Sequence, residues 1–487
     1  MYLGIDIGTS AVKAVLLAAD GHVAGQASAP LAVSRPRPLW SEQEPEDWWR
    51  GAVAAVRQLP ARLRAAVRAV GLSGQMHGAT VLDAQGHALR PAILWNDGRA
   101  FAECAELEAA EPRSRKITGN IAMPGFTAPK LLWLRRHEPE VFGRIARVLL
   151  PKDYVRLRLT GEYLSDLSDS SGTLWLDVGA RRWSLSMLVA CGLGPGHMPG
   201  LVEGSDQAGL LRASAAEALG VPIVPVAGGG GDNAAGAVGA GVVAHGQALL
   251  SLGTSGVLFV ANDRFLPNPA GAVHAFCHAL PGRWHQMAVL LSAASCLDWV
   301  TRLGGFSSVP DALAAAVPHA GAAALPLFLP YLSGERTPHN DPHARGVFFG
   351  LDHDTDGGAL VQSVLEGVAL AFRDGLSVLT EAGTSISELS VIGGGSRSES
   401  WAALLSCALE RTLVIRDAAE VGPAFGAARL AALSIREASE RELCTPPAVT
   451  RIIEPDPAEV ERLRGRYQRF RSLYRALRDQ FPREVIH

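Results

Sequence analysis

The stretch "GIDIGTS" at positions 4–10 returns as "LSLGTSG" at 250–256, each time between two apolar runs of strand-like composition. Turns centred on Gly8 and Gly253 in matching surroundings predict one strand–turn–strand unit built twice. The expected architecture is therefore two duplicated α/β halves with a cleft between them. Glycine lets backbone N–H groups approach an anion closely, and the hydroxyls of Thr9, Ser10, Thr254 and Ser255 add donors. One copy alone reads as a hairpin with a polar tip. Two copies opening equivalent halves read as grips converging on the β- and γ-phosphates of a nucleotide.

The copies differ where charge matters. Asp6 precedes the first turn on an otherwise apolar strand, and Ser251 holds the matching place in the second. A carboxylate buried without a partner is costly. Beside a triphosphate the natural partner is Mg2+, reached through its water shell. The asymmetry predicts one metal side and two phosphate grips. Lys13, seven residues past Asp6, either adds a cation there or is a surface lysine.

At 487 residues the chain exceeds one ordinary core. The expected division is 1–244 and 245–487, with an elaboration over about 95–220 in the first half. Apolar residues at 48% and charged residues at 19% fit a soluble globular protein. A net charge of −3 gives no pull toward nucleic acid or an anionic membrane. The six cysteines form no CxxC pair and no metal spacing, which fits a reducing cytosol. Asp6 breaks the first apolar run after five residues, so no signal-peptide core is expected. The expectation is a soluble cytoplasmic protein.

Local patterns place the remaining elements. "EPEDWWRGAVAAVRQL" predicts a helix, with Pro45 in its first turn and Glu46 and Asp47 at its positive end. "VPIVPVAGGGGDNAAGAVGAGVV" predicts a strand, a glycine turn and a helix of small side chains that must pack very close to something. "ALVQSVLEGVALAFRDGLSVL" predicts a long apolar helix, and "GPAFGAARLAAL" another close-packed one. In the tail, Leu463, Tyr467, Phe470, Tyr474, Leu477 and Phe481 fall on one helical face, which predicts a docked terminal helix with a solvated basic face.

Asp232, in "GGGGDNAAG", sits between a strand and a helix. It reads as a plain helix N-cap, or as an acceptor for the proton of an attacking hydroxyl. The four glycines before it strip bulk from the approach, as a small ligand requires. "SGQMHGAT" and "ILWNDGR" offer His77, Trp95, Asn96 and Asp97, tools for holding a polyol, although His77 also reads as a satisfied core or turn histidine. The run "VIGGGSRSESW", with Gly393, Gly394, Gly395 and Ser396, lets a flat base lie on bare backbone at a strand–helix junction. Neither a dinucleotide GxGxxG in strand–turn–helix context nor GxxxxGK followed by Ser or Thr occurs.

Taken together, these motifs resemble the FGGY carbohydrate kinases over essentially the whole chain. "GFTAPKLLWLRRH" at 125–137 is similar to the family's first signature. "GVFFGLDHDTDGGALVQSVLEG" at 346–367 is similar to the second, with Ala359 where a polar or acidic residue is usual. The resemblance implies two RNase H-like domains of the actin, hexokinase and chaperone ATPase superfamily, the first on the sugar side and the second on the nucleotide side. "GQMHGAT", "LRPAILWNDGR", "GGGDNAAGAVG", "SLGTSG" and "LSGERTPHN" look like the branch that phosphorylates D-xylulose at its 5-hydroxyl with ATP and Mg2+. On that carry-over Asp232 is the base, and Asp6, with Asp232 through water, serves the metal. Met76 and His77 contact the sugar, as do Asn233, Trp95, Asn96 and Asp97 by their loops. Gly8, Thr9, Ser10, Lys13, Gly253, Thr254, Ser255 and the 393–396 run face ATP. Domain closure on the sugar is implied as well, and a homodimer is common among such kinases. Two other readings stay open: a kinase of this family for ribulose, fuculose or glycerol, and a non-kinase ATPase of the same fold.

Overall fold

The two Gly-Thr-Ser turns open the same structural unit. In the computed structural model, which describes residues 1–417 and 422–482 (Ser396 by its backbone alone), Tyr2–Ile7 runs antiparallel to Ala11–Leu17 and parallel to Ala69–Gly74. In the second half Gln247–Leu252 runs antiparallel to Gly256–Asn262 and parallel to Glu388–Ile392. Both hairpins thus sit centrally in seven-stranded mixed sheets. The first sheet is ordered Gln207–Leu210, Pro225–Ala227, Ala69–Gly74, Tyr2–Ile7, Ala11–Leu17, Val23–Pro30, with Gly230–Gly231 also on Ala69–Gly74. The second is ordered His274–Cys277, Trp284–Leu290, Gly256–Asn262, Gln247–Leu252, Glu388–Ile392, Leu413–Arg416, Val449–Ile453.

The two small-residue helices pack on each other. Asp232–Ala240 lies against Pro423–Ser434, so closely that a Cβ on Gly426 would come 1.7 Å from the Ala235 carbonyl oxygen. The second helix, late in sequence, also covers the first sheet. A Cβ on Gly4 would stand 1.9 Å from the Ala424 oxygen, and one on Gly71 1.9 Å from the Ala427 oxygen. Backbone rests on backbone at all three points, which only glycine permits. The halves are therefore joined by an element of the second half seated on the sheet of the first.

The long helix Gly357–Glu381 is buried along most of its length in the second half. Asp356 caps it, accepting from the Ala359 N–H at 2.8 Å, so only a backbone N–H is asked of position 359. The terminal helix Pro457–Leu477 docks with Leu463, Tyr467, Phe470 and Tyr474 buried, and Phe481 is buried just past its end. Its basic face is less solvated than its composition predicts. Arg466 turns inward to Glu366 at 2.6 Å and to the carbonyls of Leu325 and Pro326, while Arg462 joins the same carboxylate. All six cysteines are free, five of them buried. Among the described residues no helix is long and apolar enough to cross a membrane.

The same substitution is expected to have opposite signs in two helices. Gly426→Ala drives a methyl into the Ala235 carbonyl and costs about 1–3 kcal/mol by overpacking. Gly465→Ala, exposed and with nothing near its Cβ, gains about 0.5–1 kcal/mol from helix propensity. Denaturant unfolding of the two variants checks both signs.

Candidate active site

A cavity of about 250 Å³ lies where the halves meet. The first half contributes Met76, His77, Trp95, Phe126, Asp232 and Asn233 to its wall. The second contributes Ser255, His274, Phe276 and Arg336, with Val257, Met287 and Val289 as an apolar side. A small molecule bound here touches both halves at once.

Asp232 begins its helix, and the N-cap is Gly231 with no side-chain cap. The carboxylate instead accepts from the Asn233 N–H at 2.7 Å and the Asn233 side-chain amide at 2.9 Å through one oxygen. Burial pushes it up to about 6, opposed by those two Asn233 hydrogen bonds. It is thus poised to take a proton near neutral pH. Strand register brings Asp6 to its side: Asp6 pairs with Ser73, and Ser73 pairs with Gly230, two residues before Asp232.

The four glycines before Asp232 have a different reason from the one expected. They do not clear space for a ligand; protein fills it. A Cβ on Gly228 would meet the Glu203 oxygen at 2.0 Å, on Gly229 the Leu72 oxygen at 2.2 Å, and on Gly231 the Met76 side chain at 2.9 Å. The glycine run lets the loop lie flat on neighbouring backbone and seats Met76 against it.

His77 occupies the left-handed region at φ 68°. Its carbonyl accepts from Thr127 Oγ1 at 3.1 Å and Lys130 Nζ at 2.9 Å, and Lys130 also reaches the Gly125 carbonyl at 2.7 Å. The first signature motif therefore acts as a clamp on this backbone. Lys130 is fully buried, which pulls its amine down to about 7. The His77 ring lies edge-on to Phe126, centroids 4.7 Å apart. Burial pulls the ring down to about 3, so it is neutral. Because Nδ1 sits 2.7 Å from the Gly172 carbonyl, an acceptor only, Nδ1 carries the hydrogen and Nε2 is left as an acceptor.

The neighbouring loop divides its labour. Trp95 lines the cavity and donates from Nε1 to Thr9 Oγ1 at 2.9 Å, tying its loop to the first Gly-Thr-Ser turn. Thr9 Oγ1 in turn donates to Gln75 at 2.9 Å, so this hydroxyl is engaged within the protein. Asn96 is exposed. Asp97 is buried, accepting from the Ser41 N–H at 2.6 Å and pairing with Arg99 at 2.7 Å, which holds the loop's shape. Ser255 reaches the cavity, and Thr254 beside it is exposed. Gly393 and Gly395 pack on Leu252, next to Gly253, so the second turn and the glycine run form one surface. Gly394 is open on its Cβ side, and the Ser396 side chain lies outside the described residues.

Two wall residues, His274 and Phe276, carried no signal in the sequence, whereas Phe126 falls within the 125–137 signature and Arg336 within "LSGERTPHN". His274 stacks on Phe276 with centroids 5.5 Å apart, and burial holds it well below the usual histidine range. Arg336 Nη1 lies 3.5 Å from its Nε2. Glu335 is turned away, accepting from the Leu291 N–H at 2.9 Å and the Arg336 N–H at 2.8 Å. The guanidinium thus stands on the cavity wall beside a neutral imidazole, not a carboxylate.

Asp6 fits the cation expected of it. Its Oδ1 is buried without a hydrogen-bond partner, and burial followed by the Asp232 charge pushes it up to about 7, opposed by Ser73 and Lys13. Lys13 pairs with it across the hairpin and is exposed. Among the described residues no group of three His, Cys, Asp or Glu could chelate a metal. Two carboxylates suit Mg2+ held mainly by water and phosphate.

This orphaned charge costs stability. The folded value of about 7 lies above the usual 3.8, so the folded state binds the extra proton, and stability falls as pH rises through that window. Asp6→Asn in metal-free buffer is therefore expected to raise stability by about 4 kcal/mol above pH 7 and by little near pH 4. Thermal unfolding across pH checks this.

Residues 1–239 match the FGGY family of carbohydrate kinases, N-terminal domain, and residues 248–435 match its C-terminal domain. The chain is 54% identical to the "Xylulose kinase" of Escherichia coli K12 over 480 residues, 98% of this chain and 99% of that protein. Among solved structures it superposes on "a xyloylose kinase from Brucella ovis" with a TM-score of 0.94 at 52% identity, over 98% of this chain and 99% of that one. The xylulose kinase from Rhodospirillum rubrum gives 0.92 at 30% identity, covering 99% of both. With both domain patterns matched and a relative this similar along its whole length, the chain belongs to the FGGY family of carbohydrate kinases.

Proposed function

We propose that this protein transfers the γ-phosphoryl group of ATP to the 5-hydroxyl of D-xylulose. The observation that carries the reading is Asp232, a carboxylate pushed up to about 6 on the wall of a cavity built by both halves. The relatives named xylulose kinase support the choice of acceptor.

In this reading Asp232 accepts the proton of the 5-hydroxyl as that oxygen bonds to the γ-phosphorus and the bond to ADP breaks. Phosphoryl transfer asks mainly for orientation of its base, since the transition state is loose. Neutral His77 accepts a hydrogen bond from a sugar hydroxyl through Nε2, and Arg336 donates to sugar oxygens from the opposite half. The Gly8–Ser10 and Gly253–Ser255 turns, with Lys13, hold the phosphates, and Gly393–Gly395 lie under the base. Asp6, with Asp232 through water, would hold Mg2+, which neutralises phosphate charge when bound. A sugar touching both halves favours their closure, which excludes water and limits idle hydrolysis of ATP.

A coupled ADP-release assay over D-xylulose, ribulose, fuculose and glycerol tests the reading. ATP turnover is expected to rise most with D-xylulose, and to fall about 10²- to 10⁴-fold in Asp232→Ala. A greater response to another acceptor selects a kinase for that compound. Turnover independent of any acceptor and indifferent to Asp232→Ala selects a non-kinase ATPase.

Arg336→Gln separates the sugar side from the nucleotide side. It is expected to raise KM for the sugar about tenfold or more, as loss of a charged hydrogen bond does, while KM for ATP changes little. Steady-state kinetics with each substrate varied in turn checks the split.

A further inference from the structure

Beneath the cavity, outside its lining, lies a wholly buried ionic cluster. Lys152 Nζ contacts Asp153 at 2.6 Å, Asp166 at 2.7 Å and Asp169 at 3.1 Å, and all four side chains are 0% exposed. Arg156 stands 3.7 Å from Asp153 and donates to the carbonyls of Ala227 and Gly228. Burying such charges is a poor source of stability, because desolvation offsets the attraction, so the cluster calls for another reason.

Its geometry supplies one. Asp166 caps the short helix Leu167–Ser171, accepting from the N–H groups of Ser168 and Asp169 and from the Ser168 hydroxyl. With its hydrogen committed to Asp166, the Ser168 oxygen is oriented to accept from the Gly231 N–H at 3.1 Å. Gly231 immediately precedes Asp232 and is the N-cap of the helix that Asp232 begins. At the other end of the same turn the Gly172 carbonyl takes the His77 Nδ1–H at 2.7 Å. One rigid segment, pinned by Lys152, therefore sets both the base and the imidazole expected to meet the sugar. Gly228–Gly231 have no side chains of their own, so the loop is held only through its backbone atoms, the Ser168 hydroxyl and the Arg156 guanidinium among the groups that grip them.

We propose that Ser168 is a positioning residue for phosphoryl transfer: oriented by Asp166 and Lys152, it fixes the Gly231 N–H and through it the aim of Asp232. This rests on the reading of Asp232 as the base. Ser168 touches neither sugar nor nucleotide in that reading, so its effect belongs in kcat more than in sugar binding.

The test compares Ser168→Ala with Ser170→Ala, using whichever acceptor of the panel the wild-type protein phosphorylates. Ser170 is equally buried in the same helix, but its hydroxyl donates to Ser165 within the cluster, at 2.9 Å, and not toward Gly231. Ser168→Ala is expected to lower kcat about tenfold, the effect of one neutral hydrogen bond felt in the transition state. KM for the sugar should stay within about twofold, and Ser168→Thr, which keeps the hydroxyl, should recover much of the rate. Ser170→Ala should leave kcat near the wild-type value. Equal loss in the two alanine variants, an unchanged kcat in Ser168→Ala, or a change confined to KM overturns the proposal. Should Ser168→Ala fail to fold, Ser168→Cys carries the same comparison, and a wild-type rate in it counts against the role. If wild type phosphorylates no acceptor, the kinase reading fails first and this inference falls with it; an active wild type with an indifferent Ser168 fails this inference alone.

Discussion

The structure depends on one helix lying with its backbone against its neighbours. Gly4 and Gly71 admit Pro423–Ser434 onto the first sheet, and Gly426 admits Asp232–Ala240 onto that helix. Side chains two apart share a strand face, so the face that receives the helix at Gly4 also presents Asp6, and the face at Gly71 presents Ser73. The helix seated there is itself packed on the one that begins with Asp232. Spacing between the two carboxylates is consequently set by backbone contacts, which have little freedom to give.

On this rigid base the chain holds groups that would be costly elsewhere. Asp6 keeps an unpartnered buried oxygen, Asp232 is held near its protonation point, and Lys130 is buried with only carbonyls as direct partners. Each is confined to the region where the halves meet. Perturbed groups gathered around a cavity are the mark of a site whose electrostatics serve a ligand instead of the fold. The Lys152 cluster below differs in kind: its three carboxylates converge on one ammonium, with all four side chains fully buried, and they are spent on geometry.

Much of this could be read along the chain. The duplicated hairpins, the Pro45–Gln58 helix, the long Gly357–Glu381 helix and the docked tail all follow from local turn chemistry and periodicity. Asp6 stood out because a carboxylate interrupts an apolar strand. Other readings named the right residues for a different reason. The glycines before Asp232 suggested room for a ligand, yet they bring the loop against Glu203, Leu72 and Met76. Asp97, placed by sequence beside Trp95, turns away to Ser41 and Arg99. A side chain's neighbours in sequence do not say which way it turns, because that depends on donors supplied from distant segments.

The sequence by itself determined that two equivalent α/β halves would each open on a glycine–hydroxyl turn, with a carboxylate in one alone, since strand periodicity and turn residues are local. It also determined that two helices of small residues must pack closely, though not on what. Only the tertiary structure decided that they pack on each other and on the opening strand. It alone brought His274 and Arg336 across from the second half to face His77, and set Ser168 under Gly231. Those meetings join residues tens to hundreds of positions apart. They are settled by how two sheets and one shared helix exclude water together, a property of the folded whole that no short stretch of chain encodes.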